Sequence, residues 1–130
     1  MQGLKIEHKN TPECIKISYS GEWNLKTVVE AAKEILPVLR EWDCKRFLND
    51  SSSSRLNLSR LEIRFLPGFL EAGGLDRSWI RAIVAPREHL TDYRYFEKLS
   101  REAGFTVKVF TEIGEADEWL NGGNKKGRPR

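Results

Sequence analysis

Chemistry in this chain would fall first to a serine-rich loop and to a serine at a helix start. Asp50 is followed by Ser51, Ser52, Ser53 and Ser54, directly after the apolar pair Phe47-Leu48. Hydroxyls and loop amides beyond the end of a strand lie where open α/β sheets bind ligands. Asp50, Ser51 and Ser52 are therefore candidates for receiving an anion or a partner's backbone. Ser59-Arg60-Leu61-Glu62 has the spacing of a capping box, in which serine and glutamate satisfy helix-start amides reciprocally. Ser59 is therefore read first as a helix N-cap and kept among the candidate residues. Arg60 and Arg64, four apart, share a helix face and form a candidate patch for an anionic ligand or an acidic partner.

Other reactive side chains are sparse. Cys14 and Cys44 stand far apart, as do His8 and His89, and none falls in a metal-ligand or nucleophile-base spacing. No metal, no cofactor and no catalytic residue is expected, and the chain reads as non-enzymatic. Both thiols are expected to be reduced, as in a cytoplasmic protein.

The elements that must position these residues follow from periodicity. Leu4 to His8 and Cys14 to Tyr19 alternate as strands around a turn at Thr11-Pro12-Glu13. Leu25, Val28, Val29, Ala32, Ile35, Leu36 and Leu39 make one helical stripe behind the cap Asn24, with a kink or early end expected at Pro37. Lys45 to Asn49 reads as a buried strand. The helix after Ser59 carries Leu61, Phe65, Leu66, Phe69 and Leu70, interrupted at Pro67-Gly68 and closed by Gly73-Gly74. Trp79 to Ala85 is a near-continuous apolar run, as in a strand covered on both faces. A helix from Thr91 or Asp92 turns Tyr95, Phe96, Leu99 and Ala103 inward and ends at Gly104. Thr106 to Phe110 is the last strand, and Ile113 to Leu120 the last helix. The alternation predicts an α/β domain with a mixed, mostly parallel sheet of about five strands and about four helices.

The 130 residues fit one domain, with 39% apolar and 32% charged side chains. The net charge of +3 is unevenly spread: Gly122 to Arg130 holds Lys125, Lys126, Arg128 and Arg130 and no acid, leaving the rest near neutral. The domain is thus read as 1-121, followed by a basic flexible tail, 122-130. Nucleic-acid binding is expected only through that tail, whose Lys126-Gly127-Arg128-Pro129-Arg130 resembles an AT-hook core. No apolar run is long enough to span a membrane, and Met1 to Asn10 lacks a signal-peptide core, which predicts a cytoplasmic location. Trp23 and Trp42 lie off the helical stripe and suit a sheet rim or a homodimer interface.

Several stretches resemble a known family: Phe47-Leu48-Asn49-Asp50, Leu58 to Ile63, Leu66-Pro67, Trp79 to Ala85, Tyr95-Phe96-Glu97, Ala103 to Phe110, Glu115-Ala116 and Trp119-Leu120. Together they are similar to short bacterial SpoIIAA-like members of the STAS superfamily, over roughly Leu4 to Leu120. The resemblance implies a SpoIIAA-like fold and a non-enzymatic protein-interaction or regulatory module like the anti-sigma factor antagonists, with a protein partner. In those antagonists an aspartate precedes the switched serine and a small glycine-containing turn follows it. Ser59 occupies the corresponding helix start, so the resemblance implies it as the candidate phosphorylation site. A phosphate there would add about 1.5 to 2 negative charges at the helix-start amides. Here, however, Leu58 and Arg60 flank Ser59. The group also resembles the CRAL-TRIO lipid-binding folds distantly. That supports the alternative of a small-ligand or lipid-binding carrier, with a pocket between Phe65, Leu66, Phe69 and the later helices.

Overall fold

A computed structural model describes residues 1–9 and 15–122. The chain runs β1 (Leu4–His8), β2 (Ile15–Tyr19), β3 (Glu22–Trp23), α1 (Leu25–Glu41), β4 (Arg46–Asp50), β5 (Arg55–Leu56), α2 (Arg60–Ala72) and β6 (Ile80–Val84). A 3-10 turn (Arg87–His89) leads into α3 (Leu90–Glu102), β7 (Thr106–Phe110) and α4 (Ile113–Leu120). Five strands form one sheet in the order β1-β2-β4-β6-β7, antiparallel at β1-β2 and parallel elsewhere; β3 and β5 make a separate parallel pair. The expected α/β fold, with four helices and a mixed, mostly parallel sheet, is present.

Register puts Ile15, Phe47, Arg81 and Val107 in one row across the sheet. This face is covered by α1, which packs Leu36 and Leu39 on Ile15, Ile17 and Phe47, and by α2 and α3, which pack Ile63, Leu66, Tyr93 and Phe96 on Ile83, Val107 and Val109. The opposite face holds Leu48, Ala82, Val84 and Phe110 under Ala116 and Leu120 of α4. β4 and β6 are therefore covered on both sides, as their apolar runs imply.

The helix boundaries are chemically explicit. Asn24 and Ser59 both close capping boxes. α2 and α3 end in the Schellman arrangement: Leu75 and Phe105 donate to Leu70 and Ser100, while Gly74 and Gly104 donate to Glu71 and Arg101. Gly74 has φ +114, and a Cβ there would also strike the Arg40 guanidinium, so only glycine fits. The prolines do not interrupt as predicted. α1 runs through Pro37 and α2 through Pro67. Each proline removes one helical amide, and Lys33, the residue left without that donor in α1, is exposed to water.

Three further expectations are corrected. The inward face of α3 is Tyr93, Phe96, Glu97 and Ser100. Phe96 turns inward as expected, and Tyr95 and Leu99 are half-buried but pack against the same core. Glu97 is buried because its carboxylate accepts from the Val109 amide at 2.7 Å, tying α3 to β7. On α2, Leu61, Phe65 and Phe69 point out, 59%, 64% and 41% exposed, while Ile63 and Leu66 are buried. Finally, Cys44 is not a free thiol, contrary to the reduced state expected. Cys14 and the Thr11-Pro12-Glu13 turn lie outside the described residues, as does the basic tail beyond Gly122. Among the described residues no helix is long and apolar enough to cross a membrane.

Candidate functional site

A cavity of about 120 Å³ lies between the helix-covered face of the sheet and the helices α1, α2 and α3. Its walls are mostly aliphatic: Ala31, Ile35 and Leu39 from α1, Ile63, Leu66 and Leu70 from α2. α3 contributes Tyr93 and Phe96, and the sheet contributes Phe47, Asn49, Arg81 and Ile83. An apolar cavity of about 150 Å³ admits benzene, so this one is of the size of a single ring or a short alkyl chain.

The polar lining is small and built from several elements. Arg81 is the one charged residue of β6 and faces the helices rather than solvent. Its Nε donates to Asn49 Oδ1 at 2.6 Å. The guanidinium lies 5.8 Å from the Phe47 ring centre and 5.5 Å from that of Phe96. A little of its surface stays accessible, but desolvation by burial pushes its pKa down from the ordinary arginine value to about 10, against a smaller opposing effect of Tyr93. It remains charged at neutral pH.

Ser51 follows β4 directly and is buried, with Ser54 three residues on. The Trp23 indole donates to Ser51 Oγ at 3.2 Å. The hydroxyls of Ser54 and Tyr93 are 3.4 Å apart. Burial raises the Tyr93 pKa, so its phenol stays protonated. Trp23 owes its position to the β3-β5 pair, where the Asn57 amide donates to the Trp23 carbonyl at 2.8 Å. Glu22 anchors that pair by accepting from Asn24, Asn57 and Arg55. Those hydrogen bonds, led by Asn24, hold its carboxyl below the usual range.

The structure separates the residues singled out from sequence. Ser51 lines the cavity. Asp50 and Ser52 instead close a local turn: Asp50 Oδ1 accepts from the Ser52 amide at 3.1 Å and from its hydroxyl at 2.7 Å. Ser59 is exposed and engaged in its cap, accepting from Glu62 N at 3.1 Å while Glu62 accepts from Ser59 N at 2.8 Å. Such a cap stabilises by about 1 kcal/mol. Arg60 stacks on Tyr95 at 4.0 Å and reaches Asp92, a cavity-lining carboxylate, at 3.8 Å. Arg64 is exposed on α2. His8 rests against Trp42, and His89 closes the 3-10 turn. Among the described residues no cluster of His, Cys, Asp and Glu could hold a metal ion.

Arg81, Asn49 and Tyr93 were not selected from sequence, and Trp23, expected at a sheet rim or a homodimer interface, lines the cavity instead. The signal for Arg81 was visible, because a lone charge interrupts a run that otherwise reads as buried on both faces. The others depend on contacts between distant segments. No protein-family model matches the chain, and comparison with curated proteins finds no significant match.

Proposed function

We propose that this protein is a small-ligand-binding module of the SpoIIAA-like STAS type, which takes up a compact, largely apolar molecule without transforming it. The carrying observation is the cavity between sheet and helices, with aliphatic walls and a few convergent polar groups, the usual composition of a ligand site. The four-helix, mostly parallel α/β architecture is compatible with the STAS resemblance.

Filling the cavity tests it. Ala31 is buried at the cavity wall, and leucine there would project three more carbons into the space. Toluene titrated into the wild-type protein should give saturable shifts of the Ile35, Ile63 and Ile83 methyl resonances, and Ala31→Leu should lose them. Shifts that persist unchanged in Ala31→Leu would count against this site.

A second reading keeps the interaction or regulatory role. Its supporting observation is the stripe Leu61, Phe65 and Phe69, three large apolar side chains exposed along α2. A homodimer or another protein partner would cover it. Light scattering over a concentration series should show a mass increase that Phe65→Lys abolishes; a constant monomer mass removes the homodimer.

A further inference from the structure

We propose that the ligand is a small monocarboxylic acid, aromatic or short-chain aliphatic, held with its carboxylate on Arg81 and its apolar body between α1 and α2. The inference deepens the ligand-binding reading and rests on it.

Arg81 stands in the row Ile15, Phe47, Arg81, Val107 on the covered face of the sheet, where its row neighbours are buried apolar residues. A guanidinium withdrawn from water needs an opposite charge and acceptors for its donors. It has five N–H groups. Within the described residues, Nε finds Asn49 Oδ1 and the terminal nitrogens donate to nothing. Among the described residues, no carboxylate lies within ion-pair distance of Arg81. Asp92, the acid in the cavity wall, is turned to Arg60 instead. Arg81 also lines a second, smaller void of about 10 Å³, with room for no more than about one water and with Asp76 in its wall. Of the two, the larger cavity has room for a ligand.

The chemistry of that cavity is specific. The terminal nitrogens present the planar fork that matches a carboxylate bidentately. Phe47 and Phe96 flank the cation, with ring centres 5.8 and 5.5 Å from it. The other donors near the cavity, Tyr93, Ser51 and Trp23, are neutral. One positive charge therefore balances one negative charge, and a doubly charged phosphate would bring a second charge with nothing to meet it. Volume then limits the acid to about one ring or a short chain. Such a body buries roughly 100 Å² of apolar surface, which alone gives millimolar binding at best. A charge-assisted pair is what makes the site selective.

Titration calorimetry with benzoate and hexanoate, each against its neutral amide, tests the assignment. Wild-type protein should bind the better acid about 10- to 100-fold more tightly than its amide. Arg81→Met should lose that preference while binding the amide like the wild type, which also shows that the variant is folded. Arg81→Gln, which retains a polar group without charge, should behave the same way. The tighter of the two acids identifies the aromatic or aliphatic class. Equal affinity for acid and amide in the wild type, acid binding unchanged in both variants, or inorganic phosphate binding more tightly than either acid would each overturn the carboxylate assignment while leaving the cavity reading intact. Failure of all acids and amides to bind would overturn both.

Discussion

Replacing Arg81 with methionine should raise the melting temperature of the free protein. The side chain keeps its length and apolar contacts with Phe47 and Phe96 but no longer brings a desolvated charge into the cavity wall. Exchanging buried charged groups for well-packed apolar ones stabilises by about 1–4 kcal/mol in comparable cases. Against this, Asn49 Oδ1 loses its donor, at about 1 kcal/mol. A net gain of up to about 3 kcal/mol corresponds to up to roughly 12 °C at this size. The pH dependence has a definite sign. The folded-state pKa of Arg81, about 10, lies below the unfolded value, so folding disfavours the charged form. The penalty is complete below about pH 10 and is relieved only as pH rises from there toward the ordinary arginine value. The advantage of Arg81→Met should accordingly be constant through neutral pH and shrink in strong alkali. Calorimetric scans at pH 7 and pH 10.5 check both statements. A variant clearly less stable than the wild type at pH 7 would mean that the guanidinium is already compensated within the fold. The gain in stability should accompany a loss of ligand response, the ordinary trade-off at a binding site.

Phe47→Ala should have the largest destabilising effect. Phe47 is buried in β4, meets the Trp79 ring edge-on at 6.3 Å and forms one wall of the cavity beside Arg81. Phe-to-Ala changes in cores cost about 3–5 kcal/mol, or roughly 12–20 °C in melting temperature here. The space lost from the core adjoins the existing cavity, so the variant should also accept a bulkier acid, such as 2-naphthoate, that the wild type refuses. Thermal denaturation followed by circular dichroism reads the first effect and calorimetry the second. A loss under about 1 kcal/mol would show that Phe47 is not a packed wall.

Much of the fold was legible because local and global signals agree. The β1-β2 alternation, the α1 stripe, two capping boxes and the Gly74 and Gly104 closures each specify a boundary without reference to the rest of the chain. The failures were physical as well. α2 carries apolar residues on two stripes, Ile63-Leu66-Leu70 and Leu61-Phe65-Phe69. Periodicity alone cannot say which stripe meets the sheet, so of the pocket expected between Phe65, Leu66 and Phe69, Leu66 lines the cavity while Phe65 and Phe69 point outward. β3 and β5 are two residues each and exist only because Glu22–Trp23 pairs with Arg55–Leu56 across a long sequence gap. The serine loop was located correctly as the end of a strand. Yet only Ser51 lines the cavity, because Asp50 and Ser52 satisfy each other. Arg81 gained its significance from register, which aligned it with Phe47 and Val107 on the covered face.

The charges at the two ends of the sheet constrain how copies of this protein can meet. β1 and β7 are the outer strands. On β1, Lys5 and Glu7 pair at 3.3 Å, both in contact with solvent; on β7, Thr106 and Lys108 are exposed. An outer strand studded with charge is a poor template for a neighbour's strand, since continuing the ladder would bury or crowd those groups. The sheet is thereby protected against growing from molecule to molecule into fibrous aggregates. The exposed apolar stripe on α2 is better suited to assembly than either outer strand.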